Sequence, residues 1–213
     1  MDNVELRVNV QTENSLFNLL QEGFRVRTEV NVSVRALLVE IFGLDGTYVE
    51  ERLSTIFLNG QCVDDIDSAI VTDGSVLALS SAMPGLAGAS LRRGGIYRSL
   101  RSGVTYRTGG HPGVRLPGFV QVRLFNSVIQ ALGPHFLKRG VMMERGKIAT
   151  FLQRRSESFW TGCREITVNG EPLSVQAFLG TDQKPGTEEV FLKVLLVPDI
   201  APVEHNKQAV EVI

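Results

Sequence analysis

The sequence predicts an α+β fold made of two similar units, and two observations lead to this prediction. Segments in which apolar and polar residues alternate, as in half-buried strands, occur in both halves of the 213-residue chain, each half also having one amphipathic helix. The elements follow each other in the same order at a nearly constant offset of 110 to 116 residues, which indicates duplication of a unit of about 80 residues. We therefore expect domains at 1–84 and 119–198, a linker at 85–118 and a tail at 199–213.

The first unit begins with two alternating segments, 4–10 and 24–30, which we expect to pair as a hairpin. Their connection at 14–21 is longer than a tight turn and predicts about one helical turn. Ser33 stands at an N-cap position before apolar residues at helical spacing, and Gly43 follows the last of them.

Two further strands complete the first unit. A buried strand at 55–58 ends at Asn59-Gly60, a dipeptide typical of tight turns. The last strand, 76–79, follows the turn signal Asp73-Gly74.

The second unit repeats this order of elements. Strands are predicted at 120–124 and 141–143, followed by a helix at 148–155 with two arginines near its end. A strand ending in Asn169-Gly170 then precedes the last strand, 190–197.

The linker is rich in glycine and arginine. Between residues 84 and 118 there are nine glycines, three prolines and six arginines, but no Asp, Glu or Lys. Such a segment cannot bury enough apolar surface to form a domain, so a flexible hinge with solvated arginines is one interpretation. The other is that arginines and tyrosines bind a partner, through bidentate contacts with carboxylates or phosphates and through a small hairpin between the tyrosines. The candidate partner-binding residues are Arg92, Arg93, Arg98, Arg101, Arg107, Arg115, Tyr97 and Tyr106.

Charge is distributed unevenly along the chain. Residues 1–73 carry a net charge of −8, residues 74–143 carry +9 without a single carboxylate, and residues 144–213 carry −2. A basic segment beside an acidic unit indicates a partner: an anion, an acidic protein, or the first unit of another copy. The last of these would give a head-to-tail oligomer, or a filament if the ring does not close.

The order of elements and the two Asn-Gly turns resemble the β-grasp of the ubiquitin-like superfamily, and more narrowly its MoaD/ThiS sulfur-carrier branch. The resemblance covers most of residues 4–83 and 120–197 and implies two tandem β-grasp domains. In that branch a C-terminal Gly-Gly is activated by an adenylating enzyme. Here Leu91-Arg92-Arg93-Gly94-Gly95 resembles such a tail, but Ile96 follows it and the second unit ends without glycines.

Two functions follow from the resemblance. The first is a non-catalytic ubiquitin-like adaptor or subunit that acts through protein–protein interaction, also by β-augmentation at strand edges. The alternative is the precursor of a sulfur carrier or protein modifier, cleaved after Gly95 and activated at the new carboxylate by an adenylating enzyme. A third reading is an enzyme subunit whose linker completes the active site of another protein.

Other function classes lack support in the sequence. We expect no enzyme activity and no cofactor, because no nucleophile elbow or phosphate-binding loop is present. Three scattered histidines and the cysteines Cys62 and Cys163 do not suggest a metal site or a disulfide framework. Nucleic acid is not the expected partner, given a pI of about 6.3. From the acidic start and the lack of a long apolar run we expect no secretion signal and no membrane span, and therefore a cytoplasmic location.

Overall fold

The computed structural model describes residues 1–107, 112–174, 177 and 188–198. These residues form an α+β fold, as the sequence predicts. The strands are β1 (Asn3–Val8), β2 (Phe24–Val30), β3 (Val32–Ser33), β4 (Thr55–Leu58), β5 (Gln61–Cys62), β6 (Ile70–Val71), β7 (Val76–Ser80), β8 (Leu116–Phe125), β9 (Val141–Glu144), β10 (Cys163–Val168), β11 (Glu171–Pro172) and β12 (Glu189–Leu196). The helices are α1 (Val10–Leu20), α2 (Gly46–Glu51), α3 (Gly85–Leu91), α4 (Ser127–Arg139), α5 (Arg145–Gln153) and α6 (Glu157–Gly162), with a π-helical turn at Ala36–Ile41 and a 3₁₀ segment at Arg98–Val104.

The order of elements is duplicated. Each repeat has a strand, a helix, a strand, two short helical segments and then three strands, of which two flank an Asn-Gly turn; the first repeat has the short strands β3 and β6 in addition. Both turns have the same backbone, since Asn59 and Gly60 have φ of 51° and 79°, and Asn169 and Gly170 have φ of 54° and 87°. Asparagine and glycine tolerate this left-handed conformation better than other residues, which explains their presence at both sites.

The predicted hairpin between the first two strands is absent, because a helix separates them. Asn9 caps α1 by accepting a hydrogen bond from the Thr12 N–H at 2.9 Å, and the helix then extends to Leu20. The sequence predicted only a connection with one turn here. In the second repeat α4 occupies the same place and was not predicted, because Gly133 and Pro134 interrupt its apolar pattern.

The strands form one ten-stranded sheet in the order β11-β10-β1-β12-β9-β2-β8-β7-β4-β5, and β3 pairs with β6 separately. The first strand of each repeat lies among strands of the other repeat. β1 is parallel to β12 and antiparallel to β10, whereas β8 is antiparallel to β2 and parallel to β7. The repeats have thus exchanged their first strands.

One hydrophobic core extends through both repeats. Near its centre, the ring of Phe136 on α4 lies 5.1 Å from that of Phe24 and 5.3 Å from that of Phe42, both from the first repeat. The boundaries predicted at residues 84 and 119 therefore do not separate two cores, and two self-contained domains are not what the structure shows. The predicted tail, 199–213, lies outside the described residues.

Candidate protein-binding arm

Most of the predicted linker is folded against the first repeat. We call residues 84–107 the arm. The arm comprises α3, a turn and the 3₁₀ segment, and it ends beside strand β5. The Arg93 N–H donates to the Ser54 carbonyl at 2.7 Å, and the Tyr106 N–H donates to the Cys62 carbonyl at 2.8 Å. The interpretation of this segment as a free hinge is therefore wrong for the arm.

Arg101 joins the parts of the arm to the first repeat. Its side chain is only 3% exposed, and Nη2 lies 2.6 Å from Oδ1 of Asp64. Nε donates to the Ser90 carbonyl at 2.6 Å, and Nη1 donates to the Thr105 hydroxyl at 3.3 Å. The same Asp64 oxygen accepts the Gly94 N–H at 2.9 Å. Since a buried guanidinium is costly without a carboxylate, this pair fixes the fold of the arm.

Two more of the predicted arginines also bind carboxylates of the first repeat. Arg93 donates to Glu50 Oε2 at 2.8 Å and to the Val49 carbonyl at 3.2 Å. Arg115, beyond the arm, lies 2.7 Å from Glu40 and 3.6 Å from Glu29, and the hydrogen bond to Glu40 raises its pKa. Part of the charge asymmetry in the sequence is therefore neutralised within the chain.

The two tyrosines do not form the small hairpin considered from the sequence. Tyr97 is exposed and precedes the 3₁₀ segment. Tyr106 is half-buried, and its hydroxyl accepts a hydrogen bond from the Ile70 N–H at 3.4 Å. Of the two, Tyr97 is therefore placed to meet a partner, whereas Tyr106 holds the end of the arm.

The outward side of the arm combines apolar and cationic side chains. Arg92, Arg98 and Arg107 are exposed and have no side-chain partner among the described residues. Exposed apolar patches on soluble proteins often mark interaction sites. The large apolar side chains exposed on the arm are Leu86 (67%), Ile96 (86%), Tyr97 (46%), Leu100 (66%) and Val104 (45%).

Gly94 and Gly95 lie in a hydrogen-bonded turn of this arm. Gly94 has φ of 65°, which favours glycine, and the Gly95 N–H donates to the Arg92 carbonyl at 3.1 Å. The Gly95 carbonyl accepts the Arg98 N–H at 3.2 Å. Use of this pair as a carrier tail would therefore require cleavage before Ile96 and release of the turn from Asp64.

The two cysteines and the acidic residues Asp65 and Asp67 have structural contacts within the chain. Cys62 lies beneath the arm, with Sγ 3.4 Å from the Leu91 carbonyl, and burial raises the pKa of its thiol. Burial likewise raises the pKa of Cys163, which disfavours the thiolate form of both residues. Asp67 pairs with Arg35 at 2.6 Å, and the Ser68 hydroxyl lowers the pKa of Asp65. Within the described part of the chain, no three His, Cys, Asp or Glu residues are grouped to hold a metal ion.

Comparisons of the chain with protein-family models, curated proteins and solved structures gave no match. In the part of the chain that the structure describes, no helix is both long and apolar enough to cross a bilayer.

Proposed function

We propose that this protein is a non-catalytic interaction module whose arm binds a partner protein. The observation that carries this proposal is that one segment, fixed by buried Arg101, exposes both Ile96 and Leu100 and also Arg92 and Arg98, whose side chains have no partner among the described residues. Solvent-exposed hydrophobic side chains on an ordered segment are suited to contact with another protein. The resemblance to ubiquitin-like adaptors and subunits of the MoaD/ThiS branch agrees with this role.

The fixed arm favours binding, because it would lose little conformational entropy when a partner binds. Ordering a flexible, glycine-rich segment on binding would cost conformational entropy for every residue. Here Arg101 and Asp64 already hold the arm, and the backbone of Tyr106 is bonded to strand β5. The arm therefore presents Ile96, Leu100 and the arginines in one conformation.

The charge of the arm indicates the chemistry of the partner. Arg92, Arg98 and Arg107 each present a guanidinium that can form two parallel hydrogen bonds with one carboxylate. We infer a partner surface with Asp or Glu around an apolar centre, where charge would increase the association rate and apolar burial the lifetime. Another copy of the chain is a weaker candidate, because Glu50 and Asp64 of the first repeat are already bound by its own arm.

The experiment first identifies the partner that the intact protein captures, and then compares the affinity of this partner for the wild type and for arm variants. The protein is purified from its native source, the co-purifying protein is identified by mass spectrometry, and its Kd is measured against the purified chain. Ile96→Ser with Leu100→Ser should weaken binding at least tenfold, about 1.4 kcal/mol. Val10→Ser with Leu196→Ser is the matched control, since both residues are exposed and lie outside the arm. Equal affinity of all three proteins would rule out the arm as the binding site.

The carrier precursor remains a separate proposal with its own test. It predicts a fragment ending at Gly95, or that fragment with sulfur in place of one oxygen, in the intact mass spectrum from native cells. An uncut chain throughout growth would count against it and would leave the interaction module unaffected.

A further inference from the structure

A cleft lies between the two repeats, bounded by α1 of the first and by the turn that connects α5 to α6 of the second. Gln11 and Ser15 line it from α1. Arg154, Arg155, Ser156 and Ser158 line it from the other side, and none of its lining residues is a carboxylate. From this composition we propose that the cleft binds the phosphoryl group of a small organic phosphate.

The guanidinium of Arg155 is already oriented for such a ligand. Nε donates to the Phe151 carbonyl at 3.1 Å, and the guanidinium carbon lies 4.1 Å from the centroid of the Phe151 ring. These contacts involve Nε and the face of the guanidinium, so its two terminal nitrogens remain able to donate. A planar group held in this way can form two hydrogen bonds with one oxyanion at little entropic cost.

The two arginines at this cleft have no carboxylate partner among the described residues. Neither Arg154 nor Arg155 is within salt-bridge distance of Asp or Glu there, in contrast to Arg101 and Arg93 of the arm. Their position at the end of α5 is favourable to the helix dipole, but that effect does not require neighbouring hydroxyl groups. An anion that binds both guanidiniums would neutralise this charge.

Two of the hydroxyl groups at the cleft can add a donor to the guanidiniums, whereas Ser15 and Thr12 already donate to the carbonyls of Gln11 at 3.2 Å and Phe159 at 3.3 Å. Ser156 Oγ and Ser158 Oγ lie 2.8 Å apart, so when one donates to the other, the second still has a proton to donate. Several donors at different angles suit the tetrahedral oxygens of a phosphoryl group better than a planar carboxylate.

An adjoining cleft indicates that the phosphate carries an organic group. It shares Arg154 and Arg155 with the first cleft and continues between α1 and α5 past Leu19 and Phe151. Its two carboxylates lie near Lys147, which is 3.7 Å from Glu22 and 3.5 Å from Glu144. We assign the phosphoryl group to the first cleft and an apolar or aromatic substituent to the side of Leu19 and Phe151.

Calorimetric titration of the full chain with phenyl phosphate and with inorganic phosphate, at low ionic strength, tests the proposal. Phenyl phosphate should bind saturably, and Arg154→Gln and Arg155→Gln should each weaken binding at least tenfold. Arg52→Gln is the control, because Arg52 is an exposed arginine of the other repeat and lines neither cleft.

Each outcome of the titration decides one point. If phenyl phosphate binds more tightly than inorganic phosphate, the ligand is an organic phosphate. If the two bind equally well, and both arginine variants weaken them, the cleft is a phosphoryl site whose ligand is free phosphate. If Arg155→Gln unfolds the protein, Arg154→Gln with Ser158→Ala gives the answer, since the Arg154 side chain makes no hydrogen bond or ion pair with the described residues. Absence of saturable binding, or binding that neither arginine variant weakens, would overturn the proposal.

Discussion

The two Asn-Gly turns show most directly how the repeats differ. In the first repeat Asn59 accepts a hydrogen bond from the Val76 N–H at 2.8 Å, so the turn is bonded to a strand of its own repeat. In the second repeat Asn169 accepts from the Asn3 N–H at 2.9 Å, so the equivalent turn is bonded to the first strand of the other repeat. The same local sequence therefore makes the same bond to a different strand, and only the pairing across the whole chain decides which strand it is.

The arm provides a second difference between the repeats. The first repeat binds Arg93 and Arg101 of the arm through Glu50 and Asp64. In the second repeat Arg154 and Arg155 have no such carboxylates among the described residues. Acidic residues in one repeat thus hold part of the chain itself, whereas uncompensated arginines in the other can hold a ligand.

Separating the repeats should have the largest effect. Residues 1–107 contain β1 without β12 and β10, and residues 112–213 contain β8 without β2 and β7. Each fragment should lack a cooperative thermal transition, because strands from the middle of the sheet lose their partners on both sides and the common core is divided. Circular dichroism and calorimetry of each fragment measure this.

The matched control for the fragment experiment is the co-expressed pair, which should assemble and unfold in one transition. A monomeric fragment that unfolds cooperatively would contradict the strand exchange and support two self-contained domains.

Replacing Arg101 should have the next largest effect. Arg101→Met leaves Asp64 with the Gly94 N–H but without the guanidinium, and should lower the free energy of unfolding by about 2–4 kcal/mol, since Asp64 is itself partly exposed. Arg98→Met removes a charge from the same 3₁₀ segment without breaking a side-chain hydrogen bond among the described residues. It should change the free energy of unfolding by less than about 0.5 kcal/mol. Urea unfolding gives both values, and tryptic cleavage of the arm should become faster only in Arg101→Met. Similar values for the two variants would show that the buried pair does not hold the arm.

The two Asn-Gly turns allow a more sensitive comparison. Asn59→Gly and Asn169→Gly each keep a residue that tolerates positive φ and remove the side-chain acceptor, which should cost about 1 kcal/mol. Asn169→Gly also removes the exposed hydrogen bond that Nδ2 donates to Asp2 at 3.1 Å, so its cost should be at least as large. Similar costs in urea unfolding would show that Asn169 is bonded to β1 as strongly as Asn59 is bonded to β7. If Asn59→Gly lowers the free energy of unfolding and Asn169→Gly does not, then β1 does not lie beside β10.

Local patterns in the sequence predicted most strands and both turns correctly. Alternation identified Phe24–Val30, and Ser33 does cap the helical turn after it, with Oγ accepting the Ala36 N–H at 3.1 Å. The exchange of first strands could not be predicted in this way, because alternation shows which face of a strand is buried but not which strand lies beside it.

The candidate site was predicted only in part. The linker arginines were identified as binding residues, but the sequence could not separate Arg101 from Arg98, since the partner of Arg101, Asp64, lies 37 residues away. The cleft at Arg154 and Arg155 was missed, because its wall on α1, with Gln11 and Ser15, lies far from those arginines in the sequence and no motif connects the two sides.

The smallest effect is expected at the helices α1 and α4, which have equivalent positions in the repeats. His135 lies on α4, burial lowers its pKa, and its Nε2 is buried without a hydrogen-bond partner among the described residues; α1 contains no histidine. Because the folded state disfavours the imidazolium, the unfolded chain binds more protons below its pKa of about 6.5. The stability that His135 contributes is therefore complete above this pH and is lost as the pH falls through it, by less than about 1.4 kcal/mol per pH unit. The wild type and His135→Gln share all other titrating groups, so their free energies of unfolding in urea can be compared between pH 8 and pH 5. As the pH falls, the wild type should lose stability relative to the variant. A difference that does not change with pH would mean that His135 is as accessible to protons in the folded chain as in the unfolded one.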